Sequence, residues 1–161
     1  MELVGERHIA LEPLEVWRAL NDVEVLRQSI PGCKEMTGSV EEGYEAVVTQ
    51  KIGPVKATFR GRVELSDIVE GRSYRISGSG KGGPAGHASG AADVRLDAHE
   101  DGGTRLIYAV EARVGGKIAS LGGRLIGGVA RKLADKFFEN FQNAVENARA
   151  SEQDGVRDDR A

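Results

Sequence analysis

The residues able to do chemistry in this chain are few and scattered. Its three histidines, His8, His87 and His99, fall on separate predicted elements. None joins a carboxylate pair at the spacing a metal needs, so each reads as a structural or surface histidine, and no metal site is expected. Cys33 is the lone cysteine, with only Lys34 as a local basic neighbour. It cannot form a disulfide within the chain and reads as a buried structural thiol rather than a nucleophile. Glu41, Glu42, Glu100 and Asp101 have the pattern of solvated loops, not of an acid–base pair. Gly78 to Gly86, GSGKGGPAG, superficially resembles a phosphate loop. It lacks the G-x-x-x-x-G-K-[ST] order and no helix follows, so it reads as a flexible hairpin at a cavity mouth. Neither G-x-S-x-G nor H-E-x-x-H occurs. No catalytic residue and no catalytic cofactor is therefore expected.

What the chain does offer is small and apolar. Of its 161 residues 22 are glycine, while aromatics make up only 5%. Strand-like alternation recurs from Met1 to Leu11, from Cys33, and over Glu45–Lys51, Val55–Ser66, Tyr74–Gly80, Ala88–Asp97 and Leu106–Val114. Two short helices lie between the first two strands, one opened by Pro13 and one, Val23–Gln28, capped by Asn21-Asp22. On the apolar face of the strands the large residues cluster toward one end: Phe59, Val63, Leu65, Tyr74, Ile76, Val94, Leu96, Leu106, Tyr108. Gly61, Gly78, Gly80, Ala88, Gly90, Ala92 and Ala112 fill the rest. Small residues facing each other mean either close backbone packing or a cavity for an apolar guest. The cavity reading makes Phe59, Gly61, Tyr74, Gly78, Gly90, Ala92 and Tyr108 candidate ligand contacts.

The strands need a cover, and Gly115 to Ala148 supplies it. Apolar residues fall every four positions there: Leu121, Leu125, Val129, Leu133, Phe137, Phe141, Val145. Against the true helical repeat this stripe drifts by roughly 40° per step, so the two halves of one long helix face different things. Gly127-Gly128 is the expected weak point between them. Leu121, Leu125 and Val129 become candidate cavity residues from the helix side. The first half carries Lys117, Arg124, Arg131, Lys132 and Lys136 against Asp135 alone. Basic beside apolar is the pattern of a helix lying on an anionic membrane surface; a core helix with a solvated basic edge is the alternative. Residues 1–148 form one domain, and 149–161 read as a polar, disordered tail. Nucleic acid is excluded as a partner by the pI of about 5.7 and by the lack of aromatics among the basic residues. No apolar run spans a bilayer and the N-terminus is no signal peptide, so the cytoplasm is expected.

Several segments resemble the G-subunit family of carbon monoxide dehydrogenase, a branch of the START-like, helix-grip superfamily. They are MELVGER, VWRALNDVEVLRQSIPGC from Val16, GPVKATFRGRVEL from Gly53, GSGKGGPAGHASGAADVRL from Gly78 and GTRLIYAVEARVGGKIASLGGRLIGGVARKLADKFF from Gly103. The resemblance implies an α+β fold in which a curved, seven-stranded antiparallel sheet surrounds a long C-terminal helix, with an apolar cavity between them. It implies an accessory role to a molybdenum hydroxylase of the carbon monoxide dehydrogenase type, peripheral at the cytoplasmic face of the membrane. The cargo suited to such a setting is a quinone, for example menaquinone, or a similar lipid. The alternatives are a docking or assembly factor without cargo, and a small cyclase- or hydrolase-like enzyme of the same superfamily.

Overall fold

The computed structural model describes the backbone of residues 1–160 and the side chains of residues 1–147. Strand β1 (Glu2–Ile9) leads into helices α1 (Pro13–Leu20) and α2 (Val23–Ser29). Strands β2 (Cys33–Ser39), β3 (Gly43–Ile52), β4 (Val55–Val69), β5 (Ser73–Lys81), β6 (His87–Ala98) and β7 (Thr104–Gly115) follow. They pair in the order β1-β7-β6-β5-β4-β3-β2, every neighbour antiparallel. The sequence-adjacent hairpins build the sheet from β2 to β7, and β1 closes on β7. The two short helices carry the chain from one edge of the sheet to the other.

Local chemistry starts and stops these helices. Pro13 opens α1 with its φ already helical and no amide to leave unpaired. Asp22 caps α2 by accepting from the Glu24 and Val25 amides at 2.9 and 3.1 Å. After β7 the chain runs as a 3₁₀ segment, Gly116–Leu121, and only then as α3, Gly123–Arg160. The long helix thus starts eight residues later than its periodicity suggests. Gly122 sits between the two at φ +92°, a conformation only glycine adopts without strain. The break falls there, and Gly127-Gly128 remain inside α3. At its other end α3 continues through 149–160, the stretch read from composition as a disordered tail. Helix-forming residues such as Ala150, Glu152 and Gln153 carry the backbone on without a capping break.

The two halves of α3 do face different surroundings. Phe138, Phe141 and Val145 sink into the main core with Ile9, Val16, Leu20, Tyr74, Leu96, Leu106 and Tyr108. Phe141 is fully buried. Burying an aromatic ring of this kind stabilises by about 1.5–3 kcal/mol. At the proximal end Leu125 is 40% exposed and leans on the turn at Gly53. A second, smaller core of Val55, Ala57, Ala85 and Ile118 pins the 3₁₀ segment to the start of β4.

Candidate ligand-binding groove

Register converts the sheet's inner face into rows that grade from small to large. One row runs Met36, Ala46, Gly61, Gly80, Ala88, Val114 across β2 to β7. The next runs Tyr44, Val63, Gly78, Gly90, Ala112, and the third Leu65, Ile76, Ala92, Val110. The fourth is Tyr74, Val94, Tyr108, ending on Gly5. The fourth row meets the buried half of α3. The first two have little side-chain volume, and a groove of about 420 Å³ opens above them.

Phe59, Gly61, Gly78, Gly90 and Ala92 line this groove, together with Ile30, Met36, Tyr44, Val63, Ile76 and Val110. Five candidates do not. Tyr74 and Tyr108 are core residues at 4% and 6% exposure. Tyr108 stacks on Phe138, ring centroids 5.3 Å apart, and lies across Gly5, where any Cβ would overlap it. Burial pushes the Tyr74 phenol well above its ordinary pKa, so it stays neutral. Leu121, Leu125 and Val129 are not among the lining residues either. Leu121 packs on the second small core, and Leu125 meets the turn at Gly53.

Tyr44 is the groove residue that sequence reading passes over, because the third strand begins two residues earlier than its alternation shows. It is buried, and its hydroxyl donates to the Asn21 carbonyl at 2.5 Å, tying the floor to the end of α1. Burial raises its pKa, helped by Glu41 and Asp22. The groove is otherwise free of charge. Arg62 borders it, but its guanidinium points to the outer face, bound to Glu45, Glu64 and the Glu42 carbonyl. Among the described lining residues there is no acid, base or nucleophile facing inward, and the space suits a neutral apolar molecule.

The glycines have two distinct jobs. A Cβ on Gly78 would come within 2.5 Å of the Arg62 carbonyl, and one on Gly90 within 2.6 Å of the Glu111 carbonyl. These two permit close strand approach. A Cβ on Gly80 would meet nothing nearer than 3.5 Å, so Gly80 does leave room. Gly61 is intermediate, at 3.0 Å from the Ser79 carbonyl. Gly82 lets the Phe59 ring lie directly over the backbone at the groove's end.

The basic candidates are all exposed or half-buried at the surface: Lys117, Arg124, Arg131, Lys132 and Lys136. Lys136 pairs with Glu139 at 3.5 Å. The helix is fixed to β1 by Arg7, which pairs with Asp135 and lies 5.2 Å from the centre of the Phe138 ring. Cys33 is half-buried, and burial pushes its thiol up, away from the reactive thiolate.

One cluster departs from the expectation of isolated histidines. The end of β1 and the β6–β7 turn bring His8, His99 and Asp101 together, with potential donor atoms within 4.8 Å of one another. His8 Nε2 and His99 Nδ1 each lie 3.0 Å from the Asp101 carboxylate. The Gly103 amide donates to that carboxylate at 2.8 Å and, with His8, holds its pKa below the usual range. This is the one group among the described residues whose donors could converge on a cation. It stands at the large-residue end of the sheet, away from the groove.

The model of the CoxG family, the G-subunit of carbon monoxide dehydrogenase, matches residues 5–146. The chain belongs to this family. A conserved protein from Geobacillus kaustophilus shares 32% identity at a TM-score of 0.85, covering 92% of this chain and 97% of that one. A START superfamily protein from Mycobacterium smegmatis shares the fold at a TM-score of 0.66 and 12% identity, covering 91% and 98%. An uncharacterised Rhizobium leguminosarum protein does so at 0.70 and 18%, covering 91% and 95%. No curated protein matches the chain. The family's START-like fold, a curved seven-stranded sheet around a long C-terminal helix, is the one described above.

Proposed function

We propose that this CoxG-family protein is a non-catalytic carrier that takes a neutral apolar molecule, an isoprenoid quinone, into the groove. It then serves a molybdenum-hydroxylase dehydrogenase of the carbon monoxide dehydrogenase type at the cytoplasmic membrane. The observation that carries the reading is the uncharged floor of small residues under about 420 Å³ of space, with no inward acid, base or nucleophile among the described residues. Electrons from a water-soluble dehydrogenase reach a membrane pool through a molecule that water excludes, and an apolar groove supplies the transfer environment. Among the described residues no helix is long and apolar enough to cross a membrane. Contact with the bilayer therefore rests on the exposed Lys117, Arg124, Arg131 and Lys132 beside the exposed Leu125. That same surface favours a second reading, a docking protein that holds the enzyme at the membrane and carries nothing.

The readings separate on filling the groove. Ala88 and Ala112 line it from β6 and β7, in the two rows of small residues. The variants Ala88→Leu and Ala112→Leu should fold, bind membranes as the parent does, and lose uptake of a menaquinone analogue. They should also lose quinone reduction when reconstituted with the dehydrogenase. Full electron transfer by a folded, groove-filled variant would leave docking as the function.

A further inference from the structure

The outer face of the sheet is laced with ion pairs over most of its width. Arg62 meets Glu45 and Glu64, Arg75 meets Asp93, Arg95 meets Asp97, and Arg105 meets Glu6. At the end where β4 begins the pattern fails. Register sets Arg60 directly opposite Lys81, and Lys51 directly opposite Lys56. Like charges in facing cross-strand positions repel. Among the described residues no ion pair neutralises any of these four. The 3₁₀ segment then adds Lys117. Lys56, Arg60, Lys81 and Lys117 wall a cleft of about 730 Å³, together with Thr58 and the Gly83–Ala85 turn, and no carboxylate lines it. Glu35 and Glu45 line the adjoining depression that Arg60 and Lys81 also border. Glu45 is taken by Arg62, and neither acid pairs with the cleft's cations.

We infer that this cleft is a binding site for a phosphate-type oxyanion. Four cations around one concavity repel each other in the empty protein, and an anion reverses the sign of that energy. The Arg60 guanidinium offers the planar fork that grips two oxygens at once, and the lysines add point charges around it. Thr58 brings a hydroxyl to the same wall. The cleft touches the groove without sharing its chemistry: Arg60 lies between Phe59 and Gly61, and Lys81 follows Gly80. Two sources supply such an anion, the headgroup of an anionic phospholipid and a free phosphate or pyrophosphate. The inference does not depend on the apolar cargo.

The test uses the full chain and two probes at roughly 0.1 M salt, an ionic strength at which exposed charges more than about 10 Å apart are largely screened. Flotation on phosphatidylcholine vesicles with and without phosphatidylglycerol reads the headgroup, and inorganic pyrophosphate titrated by calorimetry reads the free anion. At least one probe should bind saturably. The double variant Arg60→Gln/Lys81→Gln should weaken that binding by about tenfold or more, whereas Arg18→Gln/Lys34→Gln, at exposed positions outside the cleft and outside the basic face of α3, should leave it near the parent value. Vesicle binding without pyrophosphate binding assigns the site to a headgroup; pyrophosphate binding assigns it to a soluble anion. Without anion, the Arg60→Gln/Lys81→Gln protein should melt no lower than the parent, since a repulsion has been removed. Lys56→Gln/Lys117→Gln repeats the measurement from the opposite wall should the first variant misfold. Binding by neither probe, or binding that survives both cleft variants, overturns the inference. Uptake of the menaquinone analogue, measured on the same samples, reports the carrier function separately.

Discussion

Alanine substitution along the glycine rows tests the account of the groove most directly. If Gly78 and Gly90 serve strand approach, a methyl there must push two strands apart. The ideal Cβ would stand 2.5 Å from the Arg62 carbonyl at Gly78 and 2.6 Å from the Glu111 carbonyl at Gly90. Backbone cannot rotate away as a side chain tip can, so each substitution should cost about 1–3 kcal/mol. At Gly80 the nearest atom is 3.5 Å away, an ordinary contact. There the change mainly reduces the freedom of the unfolded chain and should stabilise by about 0.5–1 kcal/mol. Gly61→Ala, at 3.0 Å from the Ser79 carbonyl, should fall between the two. In a domain of this size 1 kcal/mol corresponds to about 2–4 °C in melting temperature. Gly80→Ala should then melt about 1–4 °C higher than the parent, and Gly78→Ala about 2–12 °C lower. Urea unfolding by circular dichroism, with an unchanged slope, confirms that stability and not compactness has moved. Equal shifts at Gly78 and Gly80 would refute the division of labour and return all four glycines to the single role of leaving space.

Three further outcomes follow from the packing. Phe141→Ala should destabilise by about 3–5 kcal/mol, while Leu125→Ala, at a 40% exposed position, should fall within roughly 0.5 kcal/mol of the parent in the same urea titration. Tyr44→Phe removes the hydrogen bond to the Asn21 carbonyl and leaves that acceptor unpaired, a cost of about 1–3 kcal/mol by thermal melting. Asp101 has its folded pKa depressed by the Gly103 amide and then by His8. Its contribution is therefore fully present above the unfolded carboxylate pKa of about 3.9 and disappears as pH falls through the lower folded value. Asp101→Asn should lower stability in the neutral region and flatten the acid limb of a stability–pH curve, so that the difference from the parent closes at low pH.

How much of this was legible in the residues differs from element to element. Alternation from Val55 to Ser66 and from Ala88 to Asp97 sorts inner from outer positions without a structure, because side chains on a strand alternate with period two. The gradient from small to large residues followed from the same pattern, and so did the family, through motifs spread over nearly the whole domain. Height along the strands was not legible. Tyr74, Tyr108, Phe59 and Gly61 all read as inward, but only pairing register puts the tyrosines under Phe138 and the other two under open space. The helix shows the same limit. Its four-residue stripe foretold two different surroundings, while Gly122, one glycine among several, took the break because the second small core holds Ile118 in place. His8 and Asp101 are 93 residues apart and meet only because β1 closes on β7. Arg60 and Lys81 face each other only once β4 is laid against β5, and Lys51 and Lys56 only once β4 is laid against β3. Sequence by itself determined which residues avoid water and with what period, since that preference belongs to each side chain. Which of them share a row, a core or a cleft was decided by tertiary structure alone, because register couples residues through space and leaves no period in the chain.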